Sequence, residues 1–207
     1  MNAEDSMSIR SRAMDALIRA TGDDPARLGL TGTPERAARA HAELFDGYDI
    51  NPQALLAKAM EPADGYAGLV LVRGIRLYSH CEHHMLPMEG LVHVGYLPDS
   101  HLLGLSKVAR AIEVLTRQLQ GQERLTREIA DIIEKVAHPK GVAVAVVARH
   151  HCITERGVRQ TDSDTVTVVT RGTLDSDPGL RRDFLGLERF HTERKRSCLL
   201  VPHFPGR

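Results

Sequence analysis

Ser79-His80-Cys81-Glu82-His83-His84-Met85-Leu86-Pro87 is the stretch that decides how this chain is read. Before it, Gly68 to Tyr78 reads as a strand: Leu69, Val70, Leu71, Val72, Ile75 and Leu77 are β-compatible and interrupted by Gly74. After it, Gly90-Leu91-Val92-His93-Val94-Gly95-Tyr96 reads as a second strand, ended by Pro98-Asp99-Ser100. Two such strands around a short connection predict an antiparallel pair. The connection carries a thiol, a carboxylate and imidazoles that packing does not need. Imidazole and thiolate together suit a borderline-soft ion such as Zn²⁺. Cys81 and His84 are three residues apart, so one loop can present both to one ion.

Towards the C-terminus, Ser106 is expected to cap a helix to about Gln118, with Val108, Ile112 and Leu115 at helical spacing. Gln122 to Ala137 is a second helix that buries Leu125, Ile129, Ile132, Ile133 and Val136. Val142 to Ala148 is a near-continuous apolar strand, of the kind covered on both faces. Thr165 to Thr170 alternates Thr and Val as a further strand, and Asp177 to Phe190 is a last helix. Towards the N-terminus, Ser8 to Thr21 is a helix. Thr33-Pro34-Glu35 opens another, with Thr33 as N-cap, and Asn51-Pro52 opens a short third. Strands before and after a helical pair give an α+β domain, with the helices on one face of an antiparallel sheet. The expected division is an N-terminal helical region over 1–64, a main domain over 65–190 and a poorly ordered tail over 191–207.

Lys plus Arg (27) equals Asp plus Glu (27), so no global charge draws the chain to nucleic acid or membrane. Aromatic content of 4% offers no stacking platform for single strands. Residues 1–20 lack the apolar stretch of a signal peptide and no run spans a membrane, so a cytoplasmic location is expected. Three cysteines, Cys81, Cys152 and Cys198, make a sparse odd set, which favours ligand or catalytic thiols over a disulfide framework.

The missing metal ligand has a candidate in His150-His151-Cys152, at the end of the apolar strand. If the two strand ends are neighbours, Cys81, His84 and Cys152 form a Cys₂His site with an open position, and His83 and His150 are spare imidazoles beside it. The plain alternative is buried thiols and surface histidines. Ser106, Lys107 and Arg110 lie in the first turns of a helix, where free N–H groups already favour phosphate. Arg36 and Arg39 form a similar pair, and Arg156 follows the second Cys cluster closely. Gln122-Glu123 opens a helix; its carboxylate is either a dipole partner or an acceptor for a base edge such as that of guanine. No GxxxxGK[ST] loop occurs, so phosphates would serve as an anchor and the reaction would fall on the base.

At these residues the sequence resembles the GTP cyclohydrolase I family. The matching pieces are Thr33-Pro34-Glu35-Arg36, Cys81-Glu82-His83-His84, Val92-His93-Val94-Gly95-Tyr96-Leu97-Pro98, Gly104-Leu105-Ser106-Lys107-Val108-Ala109-Arg110, Gln122-Glu123-Arg124-Leu125-Thr126, Gly141-Val142-Ala143-Val144, His150-His151-Cys152 with Arg156-Gly157-Val158, and Arg182-Asp183-Phe184-Leu185. They stand in the family's order. The resemblance implies a tunnelling fold (T-fold), in which antiparallel sheets of several subunits close into a barrel. It implies a homodecamer with active sites at subunit interfaces. It also implies conversion of GTP and water to 7,8-dihydroneopterin triphosphate and formate, the first step of tetrahydrofolate and pterin synthesis.

Residue by residue, it implies Zn²⁺ on Cys81, His84 and Cys152, activating water for attack at C8 of the purine. His83 and His150 would be catalytic imidazoles, and Ser106 would serve the ribose rearrangement. Gln122 and Glu123 would read guanine. Lys107, Arg110 and Arg156 would hold triphosphate, with Arg36 and Arg39 completing that site from a neighbour. Gly121 departs from the family's usual Val, Thr154-Glu155 from apolar residues, and Leu91 from Lys. These departures leave open a paralogue serving deazapurine synthesis or forming another ring-opened product. Two further rivals are a T-fold nitrile reductase, which lacks the paired zinc arrangement, and a zinc-stabilised binding protein without turnover.

Overall fold

The computed structural model describes residues 3–186; Cys198, the tail and the end of the last expected helix lie outside them. The chain divides into two compact units after Ile50. In the first, helix α1 (Ala3–Ala20) packs on helix α2 (Thr33–Leu44), followed by a 3₁₀ turn, Asp46–Asp49. Thr33 does not cap α2. Gly32, in the left-handed region at φ 72°, takes the cap position, and the Thr33 hydroxyl accepts instead from Arg36 Nη2 at 2.7 Å.

The second unit opens with α3 (Pro52–Ala57), where the Asn51 side chain accepts from the amides of Gln53 and Ala54 as an N-cap should. Then follow β1 (Met60–Pro62), β2 (Val70–Cys81), β3 (Pro87–Leu97), β4 (His101–Leu103) and α4 (Leu105–Thr116). The chain continues through β5 (Leu119–Gln120), α5 (Gln122–Ala137), β6 (Gly141–His150), the single turn α6 (His151–Thr154), β7 (Thr165–Gly172) and the turn α7 (Thr173–Ser176). Residues 178–186 are helical, so the helix expected from Asp177 starts one residue later and runs to the end of the described residues.

The main sheet runs β5-β2-β3-β6-β7 and is antiparallel except for β5, which lies parallel to the last two residues of β2. The architecture is thus α+β, with an antiparallel sheet and a helical pair on one face, as the sequence predicts. That face carries Leu77, Met88, Val92, Val94, Val144 and Val146, buried against Val108, Ile112, Leu125, Ile129 and Ile133 of α4 and α5. The other face buries Ala143, Ala145, Leu174 and Phe184. β6 therefore is covered on both sides, which explains its unbroken apolar run.

A bulge sits between Val72 and Ile75, with Gly74 at φ 72°. One extra residue there changes the strand's parity, so that Val70 before it and Ile75 and Leu77 after it all face the helices. The same strand runs three residues further than predicted. Ser79, His80 and Cys81 are part of β2 and not of the loop.

Candidate metal centre

β2, β3 and β6 bring their ends together. His80 pairs with Pro87, and Met88 pairs with His150. The connection from Cys81 to Leu86 is a tight turn: the Cys81 amide donates to Leu86 O at 2.9 Å and the Met85 amide to Cys81 O at 2.8 Å, with Met85 at φ 54°. This returns His84 to the side of Cys81. On the neighbouring strand β6 ends at His150 and the chain coils into α6, which carries Cys152. One ligand atom each from Cys81, His84 and Cys152 then lies within 4.8 Å of the others. Two sulfurs on one tetrahedral ion at about 2.3 Å each would stand about 3.8 Å apart, so small side-chain rotations suffice. Cys81 is buried, Cys152 half-buried and His84 exposed, so the group is open on one side. Burial and the neighbouring Cys81 thiol push the Cys152 thiol up, while Arg156 pulls it down. Two adjacent thiols held this way are a donor set that a cation would relieve.

His83 is beside this group, and His150 ends the strand that leads into Cys152. His83 Nδ1 is 3.7 Å from Cys81 Sγ. His150 Nε2 is 2.7 Å from Gln122 Oε1, and burial holds its pKa below the usual histidine value against an opposing pull from Glu123. Glu123 is exposed in the first turn of α5. The Gln122 side chain, by contrast, is 2% exposed and bonded to protein on every side. The Gln122 side chain is thus committed to the protein's own hydrogen bonds.

Ser106, Lys107 and Arg110 are not brought to this group. Ser106 is the second residue of α4, whose cap position is Gly104, so it caps nothing. The start of α4 is tied to the far end of the sheet: the Leu103 amide donates to the Tyr96 hydroxyl at 2.9 Å, and Tyr96 pairs with Val70. The ten residue steps of β3 that separate that end from Pro87 span roughly 33 Å. The other end of α4 leads into β5, beside Cys81. Arg36 and Arg39 are exposed on α2 in the first unit.

Sequence reasoning missed Arg124. Its guanidinium lies 3.2 Å from Glu82, bonds Gln120 Oε1 at 3.1 Å and donates to Leu119 O, locking the metal loop to β5 and α5. The only signal was an acid within the Cys-His run and a base beside Gln122-Glu123, with nothing in their spacing to pair them.

The fold and this site define an α+β protein with a candidate three-ligand metal centre flanked by two imidazoles. The sequence comparisons narrow the class. The family model described as GTP cyclohydrolase I matches residues 10–189. A GTP cyclohydrolase 1 of Allorhizobium ampelinum is 46% identical over 86% of this chain and 90% of that protein. One of Chlorobium chlorochromatii is 48% identical over 84% and 78%, and one of Maricaulis maris 40% over 90% and 91%. This chain belongs to the GTP cyclohydrolase I family of enzymes. Among solved structures, the apo form of the archaeosine synthase QueF-Like matches at a TM-score of 0.40 and 17% identity, covering 50% of this chain and 93% of that one. That likeness is too slight to argue from.

Proposed function

We propose that the chain converts GTP and water to 7,8-dihydroneopterin triphosphate and formate as a zinc enzyme, at the head of tetrahydrofolate and pterin synthesis. The observation that carries this reading is the convergence of Cys81, His84 and Cys152 beside His83 and His150. Zn²⁺ is the ion that two thiols and an imidazole with an open side fit best; when bound it supplies Lewis acidity and lowers the pKa of water. Cys81, His84 and Cys152 hold it. His150, whose pKa burial holds below the usual histidine value, takes up and delivers a proton at the purine ring as it opens. His83, exposed beside Cys81, is placed for the second proton transfer. The Glu123 carboxylate accepts from the ring N–H and exocyclic amine of guanine.

Lys107, Arg110 and Arg156 hold triphosphate, and Ser106 acts on the ribose. Within one chain, Ser106 and Lys107 lie a sheet's length from Cys81, which supports a site shared between copies. Arg36 and Arg39 complete it from a neighbouring copy. In the main sheet β7 carries no strand on its outer side, and β2 is paired on its β5 side only at its last two residues, among the described residues. Such open edges favour closure of sheets from several subunits into a ring, and a homodecamer is the assembly proposed. The catalytic domain is taken as 65–190, with 1–64 as its helical N-terminal region.

The test is incubation of metal-loaded, assembled protein with GTP, followed by mass analysis for formate and for a triphosphate pterin that fluoresces after oxidation. Absence of both products sinks the proposal. A different ring-opened product would keep the family chemistry and replace the product.

A further inference from the structure

Gln122 has the most constrained side chain at the site, and its partners reach further than a binding role. Its Nε2 faces Val146 O at 3.1 Å, Thr165 O at 2.9 Å and Thr167 Oγ1 at 3.2 Å. Backbone carbonyls only accept, so the atom that faces two of them must be the amide nitrogen. The hydroxyls agree. Thr126 donates to Gln122 O at 2.7 Å, so the Thr167 hydroxyl, 2.6 Å from Thr126 Oγ1, donates there and accepts from Gln122. A flipped amide would place an oxygen against two carbonyl oxygens in a site with no water access, at a cost of several hydrogen bonds. The Gln122 oxygen is thereby fixed towards His150 Nε2, 2.7 Å away. An acceptor at that distance requires a proton on Nε2. Among the described residues no hydrogen bond occupies His150 Nδ1.

We infer that Gln122 is a positioning residue that holds His150 as its Nε2–H tautomer, leaving Nδ1 as the only nitrogen through which this imidazole exchanges protons with substrate. The inference rests on the proposed catalytic role of His150 for its function, though not for its geometry. In the forward step the bare Nδ1 first takes a proton from the attacking water and then passes it to the departing ring nitrogen of the purine, so that the neutral Nε2–H imidazole is regenerated. Nε2 keeps its proton throughout. The β6–β7 carbonyls thus set the tautomer two hydrogen bonds away, through one amide.

The test uses metal-loaded protein carrying ring-¹⁵N histidine, with solid-state ¹⁵N spectra assigned by His150→Gln. Wild type is expected to show His150 with protonated Nε2 and bare Nδ1. A bare Nε2 overturns the inference, whatever the protein does with GTP. Gln122→Met, which matches the length but cannot bond, is expected to give a mixture of tautomers and a kcat about tenfold or more lower, with KM for GTP within about threefold of wild type. A large KM rise at near-normal kcat would instead make Gln122 a substrate reader. If wild type shows the expected tautomer yet turns over no GTP, the proposed function fails and the positioning stands. If Gln122→Met does not fold, the wild-type spectrum alone decides.

Discussion

Arg124 Nη1 lies 3.2 Å from Glu82 Oε2, and this contact joins the first turn of α5 to the residue that follows Cys81. Both side chains are more than a third exposed, so the pair adds only about 0.2–1 kcal/mol to folding. Its larger effect is on the loop that carries Cys81 and His84. Arg124→Ala is expected to leave the melting temperature within a few degrees while metal release to a chromophoric chelator speeds up by about tenfold. Unchanged release kinetics would show that the turn hydrogen bonds hold the loop unaided.

Gly121 stands where the family usually has Val, and its φ of −94° and ψ of 139° are open to any residue. An added Cβ would meet Glu82 Oε1 at 3.0 Å and Glu123 Oε2 at 3.9 Å. Gly121→Val should therefore displace the Glu82 carboxylate and leave the backbone in place. Reduced freedom of the unfolded chain should hold or raise stability by about 0.4–1 kcal/mol. The KM for GTP is expected to change, because the valine methyl groups stand beside the Glu123 carboxylate, 3.9 Å from the Cβ position. A fall in melting temperature of many degrees would contradict this account of the position.

Much of this was legible in the sequence because periodicity reports burial. Leu125, Ile129 and Ile133 announce the buried side of α5, and the apolar run of β6 announces a strand covered on both faces. Cys81 and Cys152 were findable because Cys81 ends β2 and Cys152 follows the end of β6, and both strands pair with β3. What stayed hidden depends on partners distant in sequence. Gln122 looks like a surface helix start until Val146, Thr165 and His150 surround it. The two-residue β5 has no periodicity of its own and exists because the end of β2 offers it a ladder. The separation of Ser106 from Cys81 follows from the direction of α4 along the sheet, which no local motif encodes.

His41, on α2, stacks on Phe45 with ring centroids 4.6 Å apart, and burial, then the charge of Arg10, holds its pKa below the usual histidine value. The unfolded chain therefore binds the His41 proton more readily than the folded one. Stability from this group is present above the ordinary histidine pKa and is lost as pH falls through the lower folded value. Thermal melts of wild type and His41→Gln should diverge in their pH dependence below about pH 6.5, with the variant the flatter of the two. Parallel curves would rule out a linked proton at His41.

Gly90, in β3, pairs with Ala148 of β6, and a Cβ there would fall 1.9 Å from Val147 O and 2.7 Å from the Ala148 Cα. No side-chain rotation relieves contact with backbone, so Gly90→Ala must push β6 away from β3. Overpacking of this kind costs about 1–3 kcal/mol. The displacement has a second consequence, because β6 carries His150 at its end and leads directly into Cys152. β3 links Cys81, at the end of β2, to Cys152 beyond β6 through its ladders with both strands, the one with β6 running from Met88–His150 to Leu97–Gly141. Gly90→Ala is therefore expected to lower both the melting temperature and the metal content of purified protein, whereas Gly121→Val changes neither by comparable amounts. Full metal loading in a destabilised Gly90→Ala protein would mean that the centre is assembled by its loop and by α6 alone, independent of the strand ladder between them.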